Sequence, residues 1–79
     1  MLPVKIRVLC HDVKGILATI TLAITNCEAN IASAQIQSTI DQRGENIFEV
    51  NVTNLAHLQK VMNSLMKIKG VIKVERIKQ

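Results

Sequence analysis

The spacing of apolar residues switches between a period of two and a period near 3.6 four times along this chain. That succession limits the fold more than any other feature. Val4-Lys5-Ile6-Arg7-Val8-Leu9-Cys10 alternates apolar with charged side chains, the mark of a half-buried strand. After His11-Asp12-Val13-Lys14-Gly15 the period changes, and Ile16, Leu17, Ile20, Ala23, Ile24 and Cys27 fall on one helical stripe. Ile16, Thr19, Ile20, Thr21, Ile24 and Thr25 are weak helix formers, so packing against other elements must hold this helix. Asn26 or Asn30 is expected in the left-handed conformation that ends it.

Ile31 to Ile40 reads as a second strand, with Ala32, Ala34, Ile36, Ser38 and Ile40 on one face and Ser33, Gln35, Gln37 and Thr39 on the other. Asp41-Gln42-Arg43-Gly44 reads as a hairpin loop. The return strand, Glu45 to Thr53, turns Phe48, Val50 and Val52 inward. Asn54 is placed to cap a second helix, whose stripe is Leu55, Leu58, Val61, Met62, Leu65 and Met66. Lys69-Gly70 ends it, and Val71 to Ile77 forms the last strand. The order β-α-β-β-α-β predicts an α+β, ferredoxin-like unit with both helices on one face of a four-stranded antiparallel sheet. Right-handed crossovers put strands one and three in the middle and strands two and four at the edges. The other sheet face carries Lys5, Arg7, Ser33, Gln35, Glu49 and Asn51, and is suited to water.

Seventy-nine residues, 48% of them apolar and only four of them Gly or Pro, make a single folded domain spanning 1–79, or a fragment of one. A core of this size supplies only about 3–5 kcal/mol, which points to self-association for further burial. No apolar run approaches the roughly 18 residues of a membrane span, and no signal peptide precedes the first strand. A cytoplasmic location, reduced Cys10 and Cys27, and no membrane partner are therefore expected. One Phe with no Tyr or Trp excludes base-stacking platforms. Charge is uneven: residues 1–59 carry four basic and five acidic side chains, residues 60–79 six and one. This basic segment reads as a solvated helix face and edge strand, or else as a docking surface for RNA or an acidic partner.

Catalysis is poorly supported. Cys10 and His11 are neighbours on a strand and point to opposite faces, which spoils them as a dyad. Cys27 closes a helix stripe and reads as a buried structural thiol, and His57 as a solvated surface residue. No metal-ligand spacing, P-loop or dinucleotide glycine pattern occurs, so no metal, no cofactor and no enzyme activity is expected of these residues themselves. The segment His11 to Leu17 does suggest a site. It leads from a strand into a helix whose first N–H groups are unpaired, and such an end attracts anions. Asp12 either caps that helix or accepts the ammonium of an amino acid whose carboxylate meets the amides. Gly15 serves a close turn, and Asn30 either turns the chain or offers a donor and an acceptor near the same end of the sheet.

Asp12-Val13-Lys14-Gly15-Ile16-Leu17-Ala18, then Asn30-Ile31, then Gly70-Val71-Ile72-Lys73-Val74-Glu75-Arg76 resembles the motif set of the ACT domain, with Val13 where that family usually has Arg. Asn54-Leu55-Ala56-His57-Leu58 and Lys60-Val61 resemble a subgroup, the C-terminal ACT domain of RelA/SpoT-type (p)ppGpp synthetase/hydrolases, the GTP pyrophosphokinases of the stringent response. The resemblance implies that residues 1–79 are an allosteric regulatory domain of a longer enzyme, not a catalytic one. It further implies binding of a small effector, often an amino acid, after strand one and commonly across a homodimer interface. Carried onto this chain, the effector-binding residues are Cys10, Asp12, Gly15, Ile16 and Asn30. A ribosome or tRNA contact would run through the parent protein. The alternatives are an ACT module of another metabolic enzyme, a free-standing regulator, or an RNA-contacting module. A small acyl-phosphate hydrolase of this topology would need an arginine among residues 11–17, and there is none.

Overall fold

The computed structural model describes residues 1–11, 13–38 and 43–78. Its elements run β1 (Leu2–His11), α1 (Val13–Asn26), β2 (Asn30–Ser38), β3 (Arg43–Val52), α2 (Leu55–Met66) and β4 (Val71–Ile77). All strand pairs are antiparallel and the sheet order is β2-β3-β1-β4. This is the ferredoxin-like arrangement that the hydrophobic periods predict, with the edges where right-handed crossovers put them. No helix among the described residues is long and apolar enough to cross a membrane.

Alternation along β1 and β3 builds the floor of the core. Val4, Ile6 and Val8 stand opposite Val50, Phe48 and Asn46, and all six are buried. Ile20 and Ile24 of α1 and Leu58, Val61 and Leu65 of α2 close over that floor. Leu55 and Met66, at the two ends of the second stripe, stay exposed. On the open face Arg7 bridges two strands, its Nη1 2.9 Å from Glu75 Oε1 and its Nε 3.4 Å from Glu45 Oε1. Lys73 reaches Glu75 at 3.4 Å. These half-exposed pairs orient side chains and add about 1 kcal/mol or less each.

The structure corrects several boundaries. Neither Asn26 nor Asn30 ends α1; Glu28 does, at φ 63°. Its N–H donates to Thr25 O at 2.9 Å and the Ala29 N–H to Ile24 O at 3.4 Å, the paired bonds of a Schellman motif. Ala29 and Ile24 are both buried, so the apolar contact that seals the motif chose the position over asparagine's local preference. A bulge between Ile31 and Ser33 puts Ile31 opposite Val50 on the helix-facing side with Ala34 and Ile36, leaving Ala32 as the extra residue rather than a member of that face. Arg43 and Gly44 already belong to β3, paired with His11 and Cys10. Thr39, Ile40, Asp41 and Gln42 lie outside the described residues. His57 is no free surface group: its Nδ1 accepts the Thr53 N–H at 3.0 Å, and its Nε2 lies 2.6 Å from Cys27 O. Asn54 caps α2 as expected, accepting the His57 N–H at 2.8 Å.

Candidate functional site

The expected site centres on the N-terminus of α1. Gly15 lies in its first turn at φ +85°, and nothing beyond its chain neighbours and its own helix backbone lies within 4 Å of the position a Cβ would take. Glycine is thus required there by backbone conformation, not by crowding. The first turn carries no acidic residue, so the positive end of the helix dipole is not offset from within the helix. Thr19 Oγ1 donates to the Gly15 carbonyl at 3.4 Å. Asp12 lies outside the described residues.

Two surfaces flank this end of the helix. On the β4 side an open cleft of about 510 Å3 is lined by His11, Gly15, Ile16, Thr19, Ile68, Lys69 and Gly70. The His11 N–H donates to Gly70 O at 2.8 Å, which ties the end of β1 to the α2–β4 connection. Gly70, at φ +102°, lets the Ile16 side chain close in: a Cβ there would lie 2.7 Å from Ile16 Cδ1. The cleft presents two apolar walls, Ile16 and Ile68, with Lys69 as its one charged side chain among the described residues. On the β2 side the helix layer stops short of the edge strand. Residues 32–37 are all exposed, including Ile36 at 44%, and on α1 Leu22 is 60% exposed. β2 carries no charged side chain to discourage pairing along its free edge.

Of the expected effector residues, Gly15 and Ile16 meet at the cleft. Cys10 is fully buried beneath, its Sγ 3.3 Å from Asn46 Nδ2. Asn30 is not at this end. It pairs with Asn51, and Pro3 pairs with the same residue from the other side, so Asn30 lies where β1 begins while Gly15 follows where β1 ends. The expectation that one chain brings them together fails for a simple reason. The 14 residues of α1 carry the chain roughly 21 Å back along the sheet before β2 starts. Asn30 also shares the open face with Asn51, whereas Ile31 faces the helices opposite Val50.

Asn46 lies outside every motif that marks the expected site. It is the buried polar side chain of the described core, and its parity with Phe48 and Val50 was the available signal. Both cysteines are free and buried, Cys27 with its Sγ 3.3 Å from Ser64 Oγ. Among the described residues no three His, Cys, Asp or Glu side chains gather as metal ligands would.

Residues 1–76 match the family model described as the ACT domain. A GTP pyrophosphokinase of Myxococcus xanthus is 40% identical over 75 residues, which cover 95% of this chain and 10% of that protein. The chain therefore spans about 10% of the length of that relative. The crystal structure of the ACT domain from GTP pyrophosphokinase of Chlorobium tepidum superposes with a TM-score of 0.84 at 28% identity, over 96% of this chain and 97% of that one. The acetolactate synthase small subunit from Thermotoga maritima shares the fold, with a TM-score of 0.85 at 16% identity over 99% of this chain and 48% of that one.

Proposed function

The chain belongs to the ACT domain family, and on that premise we propose that it is the effector-sensing, self-associating module of a stringent-response GTP pyrophosphokinase. Two copies join through their β2 edges and hold a small amino acid at the N-terminus of α1. Binding there biases an active site elsewhere in the longer protein, as an effector with unequal affinity for two states must.

The observation that carries this reading is the placement of Gly15 and Asn30 at opposite ends of one sheet, with an uncharged edge strand between them. Antiparallel pairing of two β2 strands reverses one copy against the other. Asn30 and Ile31 of the second copy then arrive at the end of the sheet where α1 of the first begins. Leu22, Ala34 and Ile36, otherwise exposed, are covered in the same step. The unpaired amides of α1 attract a carboxylate. Ile16, with Ile31 of the second copy, suits a branched apolar side chain such as that of valine, leucine or isoleucine.

An RNA-contacting role has less support. Lys60 stands on α2 and Lys67 at its C-cap, Lys73 is engaged by Glu75 on the open face, and Arg76 shares the opposite face with Ile6. The basic segment is therefore divided between surfaces. A ribosome or tRNA contact would need the parent protein to complete it.

Titrating the twenty amino acids into isotope-labelled protein tests the effector reading. A branched-chain amino acid should shift the amides of Gly15, Ile16, Asn30 and Ile31 together. Absence of any shift at millimolar concentration would leave the α1 end a purely structural turn and overturn the proposal.

A further inference from the structure

We infer that Asn46 is the residue that recognises the effector's ammonium group; the inference rests on the amino-acid reading above and names a contact that the family's motif does not contain. Two buried side-chain atoms among the described residues lack a hydrogen bond, Arg7 Nε and Asn46 Oδ1. Arg7 Nε faces the Glu45 carboxylate at 3.4 Å. Asn46 Oδ1 has nothing comparable, and Asn46 is completely buried. A buried acceptor without a donor is costly, and native folds keep one where something else supplies the donor.

The direction of that acceptor follows from the rest of the amide. Asn46 Nδ2 donates to Val8 O at 3.4 Å and lies 3.3 Å from Cys10 Sγ, so the amide nitrogen is turned to β1. Exchanging nitrogen and oxygen would set Oδ1 against the Val8 carbonyl oxygen, which fixes the assignment. The planar amide then turns Oδ1 away from β1, toward the β2 flank. Its cross-strand neighbour there is Ile36, 44% exposed. Two residues along β3, on the same face, Gly44 contributes no side chain. Among the described residues, Ile36 is thus the cross-strand side chain that an incoming group would displace to reach Oδ1 from that flank.

The chemistry selects the class of ligand. A lone carbonyl oxygen beside a thiol repels phosphate and carboxylate and accepts N–H. An α-ammonium supplies three donors, and closure by a second copy's β2 removes competing water, which strengthens a charge-assisted bond. The carboxylate at the α1 amides and the ammonium at Asn46 would then hold an amino acid by both charged ends, leaving its side chain toward the two-copy seam.

L-valine and isovalerate, which has the same carbon skeleton but no ammonium, serve as the probes in calorimetric titrations of the 79-residue chain. Wild type should bind valine about 10- to 100-fold more tightly than isovalerate, the range for one charge-assisted bond. Asn46→Leu should lose that preference and bind both at the isovalerate level, whatever it does to the melting temperature. Asn46→Ser gives the same reading if the leucine variant does not fold. Equal binding of the two probes by wild type, or an undiminished preference in the variants, overturns the inference while leaving the effector site standing. Binding of neither probe by wild type overturns both.

Discussion

His57 Nε2 lies 2.6 Å from the carbonyl oxygen of Cys27, joining the first turn of α2 to the residue that directly follows α1. On the other side of the ring Nδ1 accepts the Thr53 N–H, so the proton sits on Nε2 and is donated to Cys27. One neutral imidazole thus satisfies two backbone groups from separate connections. His57→Ala should lower unfolding stability by about 1–3 kcal/mol, since it leaves both groups without their partner. Urea denaturation would show a lower midpoint at unchanged slope. A midpoint equal to wild type would mean that water replaces the ring without cost.

Gly70→Ala separates two effects. The added methyl meets Ile16 Cδ1, the far end of a flexible side chain, whereas φ +102° penalises any side chain by about 1–2 kcal/mol. Combining it with Ile16→Ala should recover only the steric part. Full recovery in the double variant would show that crowding alone demands glycine.

Binding of the isolated chain to ribosomal RNA should be weak and salt-sensitive, because the six basic residues after position 59 are split between α2, the connection that follows it, and β4 with the residue after it. Each phosphate contact adds about 0.7–0.9 to the slope of log affinity against log salt. Tight binding that is indifferent to salt would favour an RNA module over an effector module.

The element order was legible because each switch of period falls at a real boundary. Alternation in Val4 to Val8 and in Phe48 to Val52 fixes the two central strands outright. What escaped was set by backbone, which side-chain patterns do not report. The bulge at Ala32 turns Ile31 to the helix face, and alternating small and polar residues give no warning of it. The Cys27 and Thr53 backbone groups that hold His57 have no signature in sequence. Glu28 took the left-handed position from two asparagines because burial of Ala29 and Ile24 outweighed local preference. The separation of Asn30 from Gly15 was readable from the length of α1. Asn46 had the right parity and the wrong polarity, and that mismatch was the available clue.

Sedimentation equilibrium of the 8.8 kDa chain, with and without millimolar L-valine, tests most directly whether two copies enclose an effector. Wild type should form a dimer whose association tightens with valine, because a ligand that binds the paired state preferentially must stabilise it. Ile36→Lys, which sets a charge on the exposed seam, should remain monomeric while keeping its helical and strand content. A wild-type chain that stays monomeric at high micromolar concentration with or without valine, or a dimer unaffected by both valine and Ile36→Lys, would contradict a shared effector site at the β2 edge.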